Sequence, residues 1–381
     1  MGSITNPQTT RRGGRLGKID ALLDAQLQNV KWGKYKIGDL FESSNGDYDI
    51  QKKHINGKGE WVITAGLTNN GVLGRSDVNA KIFNANTITI DMFGSAFYRQ
   101  FPYKMVTHAR VFSLKPRFDM THRQGMFIAN TLSYLHHHYG YENMCSWERI
   151  KDRHIELPLN ANGEVYFAFM EEFVRELERE RLRELEAYLQ ATGLKDYNIT
   201  PEEDKALRLF MKNQVVWKKY TYKNLFNQIK QGRRLKKEDQ QIGSVPFVMS
   251  GVTNTGVVGY ISNPIAIFPS NSITIDIFGN TFYRSYEYGA GDDTGVYWND
   301  AIHYSKEHML FFATSIGQSL KGQYSYGHKL RSSQSYNLLA FLPVTEHNHP
   351  DYVLMETFIR AVQKLVIKDV VLYADRRISS K

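Results

Sequence analysis

Apolar residues return every three to four positions in two long stretches of the chain. Between 164 and 190 they are Tyr166, Phe169, Met170, Phe173, Leu177, Leu185, Tyr188 and Leu189, with no glycine or proline in the interval. Met355, Phe358, Ile359, Val362, Leu365 and Val366 repeat the spacing near the other end. That period predicts two long amphipathic helices with Glu and Arg filling the outward face. About 25 residues at 1.5 Å each make a rod of about 37 Å. Rods of that length run past what one small domain needs, which predicts an antiparallel coiled coil between them. The alternative is that each helix covers only its own domain. Elsewhere the period is two. Ile-Thr-Ile-Asp at 88–91 and again at 273–276 alternates β-branched residues and predicts a strand. Phe-Gly then marks a turn into a second short strand, Phe-Tyr-Arg. Short helices are predicted at 19–30 and 201–215, the second with Thr200 as N-cap and Pro201 in its first position.

These elements occur twice. Ala-Gly-Leu-Thr-Asn-Asn-Gly-Val-Leu-Gly at 65–74 returns as Ser-Gly-Val-Thr-Asn-Thr-Gly-Val-Val-Gly at 250–259, six of ten positions identical. ITIDMFGSAFYR at 88–99 returns as ITIDIFGNTFYR at 273–284, nine of twelve identical. Both pairs are 185 residues apart, as are Trp32 and Trp217, Leu40-Phe41 and Leu225-Phe226, Leu157-Pro158 and Leu342-Pro343, and Met170 and Met355. One offset over so long a span means a tandem duplication of a unit of about 185 residues. The predicted layout is an α+β chain with a disordered basic N-terminal arm at 1–18 and a first domain with its leading helix at 19–158. A spacer helix follows at 159–195, then a second domain with its leading helix at 196–345 and a second spacer helix at 346–381. The two domains would be related by a pseudo-twofold axis.

Composition narrows the class. The chain of 381 residues is 42% apolar and 23% charged, with 23 Tyr and 21 Phe, which is a globular balance. No run approaches the roughly 18 apolar residues of a membrane span, and the N-terminus lacks the apolar core of a secretory signal. A cytoplasmic protein is expected. The single cysteine, Cys145, excludes an intramolecular disulfide and a multi-cysteine zinc site. Forty-eight Lys and Arg against 39 Asp and Glu give a net charge of +9, which favours a polyanionic partner. The arm at 1–18 holds Arg11, Arg12, Arg15 and Lys18 and no acid.

Catalytic signatures are missing. The chain has no G-x-x-x-x-G-K-[ST] phosphate loop, no G-x-G-x-x-G and no H-E-x-x-H. The Asn/Asp-Pro-Pro-Tyr run of amino-methyltransferases is absent, and Asn263-Pro264-Ile265 reads as a turn. Glu203-Asp204-Lys205 has the E-x-K spacing of a nuclease but sits at a helix start with no upstream Pro-Asp, so it reads as a solvated helix turn. Three consecutive histidines, His136 to His138, cannot easily converge on one metal from a helix. No metal site and no catalytic residue are expected.

The duplicated Trp-led domain, the T-N-x-G-V-x-G turn, the I-T-I-D-x-F-G segment and the long helix closing each repeat together resemble the DNA specificity subunits of type I restriction–modification systems. They are also similar to the separate specificity subunits of type IIB systems. The resemblance covers about residues 15–375. It extends to Gln231-Gly232-Arg233-Arg234-Leu235-Lys236-Lys237-Glu238-Asp239, which looks like the first variable stretch of a target recognition domain. Gly327-His328-Lys329-Leu330-Arg331 looks like the basic loop before its closing strand. The first repeat departs here, reading Gly46 to His54 with only Lys52 and Lys53 basic before His54, and Trp147, Arg149, Lys151 and Arg153 in its late loop. The resemblance implies that each domain reads one half of an asymmetric bipartite site in double-stranded DNA. The helices would set the gap and dock methyltransferase subunits, possibly fused to or joined by a nuclease. S-adenosylmethionine would sit on the methyltransferase, with no cofactor on this chain. A non-DNA binding module and an unrecognised DNA-processing enzyme remain the alternatives.

Residues identical between copies suit scaffold or phosphate roles, and polar residues that differ suit base reading. Gly66, Gly71, Gly74, Gly94 and their counterparts Gly251, Gly256, Gly259 and Gly279 are expected to meet backbone demands. Asp91 and Asp276 are expected to satisfy backbone amides or an arginine. Asn69 and Asn254 read as turn residues in preference to adenine readers. Arg99 and Arg284 could contact phosphate or make an internal salt bridge. In the second domain Arg233, Arg234, Lys236 and Lys237 are expected on phosphates, and Tyr324, Tyr326, His328, Lys329 and Arg331 on bases. The first-domain counterparts are Lys52, Lys53, His54, Trp147, Arg149 and Lys151, with a core role the rival reading for Trp147.

Overall fold

A computed structural model of the chain describes residues 21–379. The basic arm and the start of the first helix therefore lie outside the described residues. The chain divides into two compact units, one ending at Glu184 and the other beginning at Leu185.

The first unit opens with the helix Ala21–Asn29 and the strand Lys31–Lys36, which pairs antiparallel with the late strand His154–Leu159. Inside this ribbon lies a four-stranded antiparallel sheet in the order Phe41–Asn45, Phe112–Pro116, Thr87–Ile90, Ala96–Arg99. A second sheet orders Val72–Ser76, Glu60–Ile63 and Tyr103–Met105, the last two running parallel. The central strand Thr87–Ile90 is buried at all four positions, so its β-branched residues serve both sheet faces. Helix His122–Thr131 starts at Thr121, whose hydroxyl caps the amide of Gln124, and lays Phe127 and Ile128 on the sheet. The second sheet keeps its own core of Val62, Ile63, Phe83, Tyr103 and Met105. Helix Phe167–Ala191 begins in this unit and runs past its last residue, buries Met170 and Phe173, and is tied by Arg123, which donates to Glu171 at 2.9 Å and to Glu178 at 3.0 Å.

The second unit repeats the plan. Strand Trp217–Thr221 pairs with Leu339–Pro343, and the four-stranded sheet runs Gln228–Gln231, Thr294–Trp298, Ser272–Asp276, Thr281–Arg284. Helix Lys306–Leu320 covers it, capped by Ser305. The leading helix Pro201–Met211 has the expected Thr200 cap and Pro201, but Glu203 is not solvated. It is 5% exposed, accepts the Thr200 amide at 2.8 Å and meets Lys364 of the closing helix Tyr352–Ser379 at 3.1 Å. The E-x-K spacing is therefore a capping box with a cross-helix ion pair.

The offset of 185 shortens within the domain and is restored by Leu157 and Leu342. Ile88 pairs with Leu114 and Ile273 with Tyr297, so 114 and 297 differ by 183. The turn at 106–111 is two residues longer than its counterpart at 291–294.

One carboxylate per unit joins two turns. Asp91 accepts the amides of Phe93 and Ser95 at 2.9 Å on one oxygen and that of Gly66 at 2.8 Å on the other. Asp276 accepts Phe278 at 2.8 Å and Asn280 at 2.9 Å, then Gly251 and the Ser250 hydroxyl at 3.0 Å. Asp91→Ala leaves three partly or fully buried amides without an acceptor. We expect it to lower unfolding free energy by about 3 kcal/mol, read as a lower urea midpoint with unchanged slope.

Candidate nucleic-acid interface

The turn held by that carboxylate bends through two consecutive left-handed residues, Asn69 and Asn70 in the first unit and Asn254 and Thr255 in the second. Asn tolerates this conformation, whereas a β-branched Thr rarely adopts it. Arg284 compensates by donating to the Thr255 carbonyl at 2.5 Å and its hydroxyl at 3.2 Å, while its Nε donates to Thr274 at 3.0 Å. Arg99 donates likewise to the Asn70 carbonyl and the Thr89 hydroxyl, each at 2.8 Å. The side-chain amides of Asn69 and Asn254 bond the carbonyls of Val72 and Val257 within the turn. Gly71 and Gly256 finish it, both at positive φ and each so close to a carbonyl that a Cβ would sit 2.6 Å from it. Gly259, identical to Gly74 in sequence, meets no such demand: space around it is open.

This geometry corrects one expectation. Arg99 and Arg284 are 2% and 1% exposed, so neither guanidinium faces a phosphate, and their bonds go to neutral oxygens instead of forming salt bridges. Burial lowers the Arg99 pKa to about 10. Both arginines brace the turn from inside, and residue type alone did not distinguish that role from an exterior one.

In the second unit the predicted basic segments meet. The Gly232 amide donates to Thr294 and the Arg233 amide to Ala290, which lays the 231–237 segment along the 290–294 turn. Arg331 donates to the Asp292 carbonyl at 2.7 Å and Gln231 to the same oxygen at 3.0 Å, while Gln231 accepts the Ser332 amide. Arg233, Arg234, Lys236 and Lys237 are exposed beside this junction. Ser325 and His328 bond each other's backbone in a tight hairpin whose tip, Tyr326, is 82% exposed, with Lys329 4.4 Å from its ring. Tyr324 is placed differently from expectation: it is half-buried against the core with its ring tilted against that of His328, so it walls the loop and is not part of its tip.

In the first unit the predicted residues fall in two places. Lys52 and Lys53 are exposed on a short turn that matches Lys237–Asp239 at the same offset. His54 is a capping residue there: its Nδ1 accepts the Gln51 amide at 3.1 Å, and its carbonyl accepts the Ser76 hydroxyl. Trp147 packs against the core and opens the short helix Trp147–Ile150. Arg149 is exposed and donates to Asn143, and Lys151 pairs with Glu148. Trp147 and Arg149 line a cleft of about 770 Å³ with Gly46, Tyr141, Glu142 and Arg110. Lys52, Lys53 and His54 are outside that lining. Arg110 carried no sequence signal of its own, although the two extra residues in its turn mark it against the second repeat.

Other candidates resolve as structural. Cys145 is in the lining of the cleft but only 1% exposed, and burial pushes its thiol up to about 12, far from a nucleophile's range. His136 bonds the Ser95 hydroxyl and His138 the Tyr134 carbonyl, so these neighbours diverge. Among the described residues no group of three His, Cys, Asp or Glu could hold a metal ion, and no helix is long and apolar enough to cross a membrane.

The family model described as the type I restriction modification DNA specificity domain matches residues 29–187 and again 214–368. The specificity subunit S.BcgI of the type II restriction enzyme BgcI of Heyndrickxia coagulans is 22% identical over 345 residues, 89% of this chain and 96% of that protein. The crystal structure of the S subunit of a type I restriction–modification system from M. genitalium superposes with a TM-score of 0.54 at 17% identity. The match covers 92% of this chain and 93% of that one and is a likeness of fold.

Two measurements separate brace from surface. Arg284→Ala should destabilise the protein by about 2–3 kcal/mol because it strands buried acceptors. Arg233→Ala and Arg234→Ala should leave the melting temperature within about 1 °C and each lower the salt slope of DNA affinity by about 1. Iodoacetamide at pH 8 should label Cys145 only after denaturant is added, as read by intact mass.

Proposed function

The chain belongs to the type I restriction modification DNA specificity domain family, with two such domains in tandem, and we propose from that premise how it works as a restriction–modification specificity subunit. Each domain reads one half of a bipartite site in double-stranded DNA, and non-identical readers make that site asymmetric. The observation that carries this reading is a contrast between the two units. They share the Asp91 and Asp276 bridge, the Arg99 and Arg284 brace and the left-handed turn. Their exposed loops at the same end differ in length, charge and contacts. A scaffold held constant under variable polar loops suits two readers of different sequence.

Phosphates in the second half-site fall to Arg233, Arg234, Lys236 and Lys237, and bases to Tyr326, His328, Lys329 and Arg331. In the first half-site Lys52 and Lys53 engage phosphate, and Arg149 reads from the cleft wall. The chain performs no methyl transfer or strand cleavage itself. A methyltransferase partner that holds S-adenosylmethionine, with or without a nuclease, supplies that chemistry in the cytoplasm. The long helices Phe167–Ala191 and Tyr352–Ser379 dock that partner and set the gap. The first, of 25 residues, spans about 37 Å, or roughly 11 base pairs at 3.4 Å each.

Co-expression of this chain with a cognate methyltransferase, followed by mapping of methylated bases on plasmid DNA, should give one asymmetric motif. Its half-site centres should lie about one helical turn apart. Exchanging residues 32–158 for another such domain should change one half and leave the other. Methylation that is independent of this chain, or a target whose halves adjoin, would overturn the reading.

A further inference from the structure

The two units build the turn below the reading loops differently. In the second unit the 291–294 turn is short and acidic, and its Asp292 carbonyl is covered by Gln231 and by Arg331 reaching in from the late loop. In the first unit the turn is two residues longer and carries an arginine of its own. The Arg110 amide donates to the Thr107 carbonyl at 2.9 Å, which closes the turn with Arg110 at φ +49°. That conformation favours glycine, yet a long side chain stands there. Strained positions of this kind gather where a side chain must be presented.

The neighbours leave Arg110 uncommitted. Asp49 is taken by His108 at 2.5 Å and accepts the Thr107 hydroxyl. Glu148 pairs with Lys151, and Arg149 donates to Asn143. Arg110 is exposed and has no side-chain hydrogen bond or ion pair among the described residues. It lines the same cleft as Arg149, Trp147 and Tyr141, together with Glu142 and Glu148. Glu142 and Glu148 offset the charge of Arg149 and Arg110 in that wall, so it is no general phosphate-attracting surface and accommodates the neutral edge of a base. An unpaired guanidinium in a cleft of balanced charge that also holds Trp147 and Tyr141 has the chemistry of a base reader.

We propose that Arg110 is a specificity-determining residue of the first domain, donating both arms of its guanidinium to a guanine edge in the major groove. The inference rests on the reading of each domain as one half-site reader. It assigns that half-site a G·C pair read from the 106–111 turn, whereas the second domain presents its arginine from the late loop.

The test uses the full chain with its methyltransferase partner and three variants, Arg110→Gly, Arg110→Lys and Arg110→Gln. Glycine takes the +49° backbone freely, so Arg110→Gly should melt no lower than wild type, and any change in its methylation is not misfolding. Its motif should relax at one base pair of the first half, with discrimination there falling about ten-fold or more and the second half unchanged. Arg110→Gln should relax the same position. Arg110→Lys should too, because an ammonium cannot supply the planar fork. A wild-type bipartite motif left untouched by Arg110→Gly overturns this inference alone. Full rescue by lysine also overturns it, since that marks a phosphate contact, and so does equal loosening of both halves. A wild type with no bipartite motif overturns the half-site reading itself and this inference with it.

Discussion

In each unit one buried carboxylate joins the end of a strand in one sheet to a turn of the other sheet. Asp91 and Asp276 sit at the end of a fully buried strand and accept amides from their own turn and from the Thr-Asn turn of the neighbouring sheet. An anion 3–4% exposed is tolerated because those donors replace its water. Without it, the two sheets would lose their shared corner. The turn it positions is then free to adopt consecutive left-handed residues, and an internal arginine satisfies the carbonyl which that bend turns inward.

The two units therefore separate roles by depth. Buried polar groups are near copies of each other: Tyr103 bonds the hydroxyls of Thr87 and Ser113, and Tyr288 bonds that of Ser272. Exposed loops diverge. The second unit closes this corner with Gln231, Asp292 and Arg331, whereas the first leaves a cleft at the equivalent turn. Duplicated domains with this division can change what they recognise without renegotiating the hydrogen bonds that keep them folded.

Much of this was legible in one sequence because it was written twice. The repeat located the strand, the turn and the closing helices, and identity across copies marked Asp91, Asp276, Asn69 and Asn254 as scaffold. The same logic misplaced Arg99 and Arg284. Identity fits a shared phosphate contact as well as a shared brace, and a guanidinium gives no sign of its depth in linear order. Glu203 was misread for a related reason: its spacing to Lys205 was visible, but its true partner, Lys364, lies 161 residues away.

Local periodicity, caps and turn residues act over a few positions, so the chain's own order determined the helices, the Ile-Thr-Ile-Asp strands and the tandem architecture. Burial and partner choice depend on contacts between segments far apart in sequence, and only the tertiary structure decided them. It put two arginines inside, paired a helix cap with a distant lysine and made Tyr324 a wall. It also left Arg110, unremarkable in sequence, exposed without a partner in the lining of a cleft.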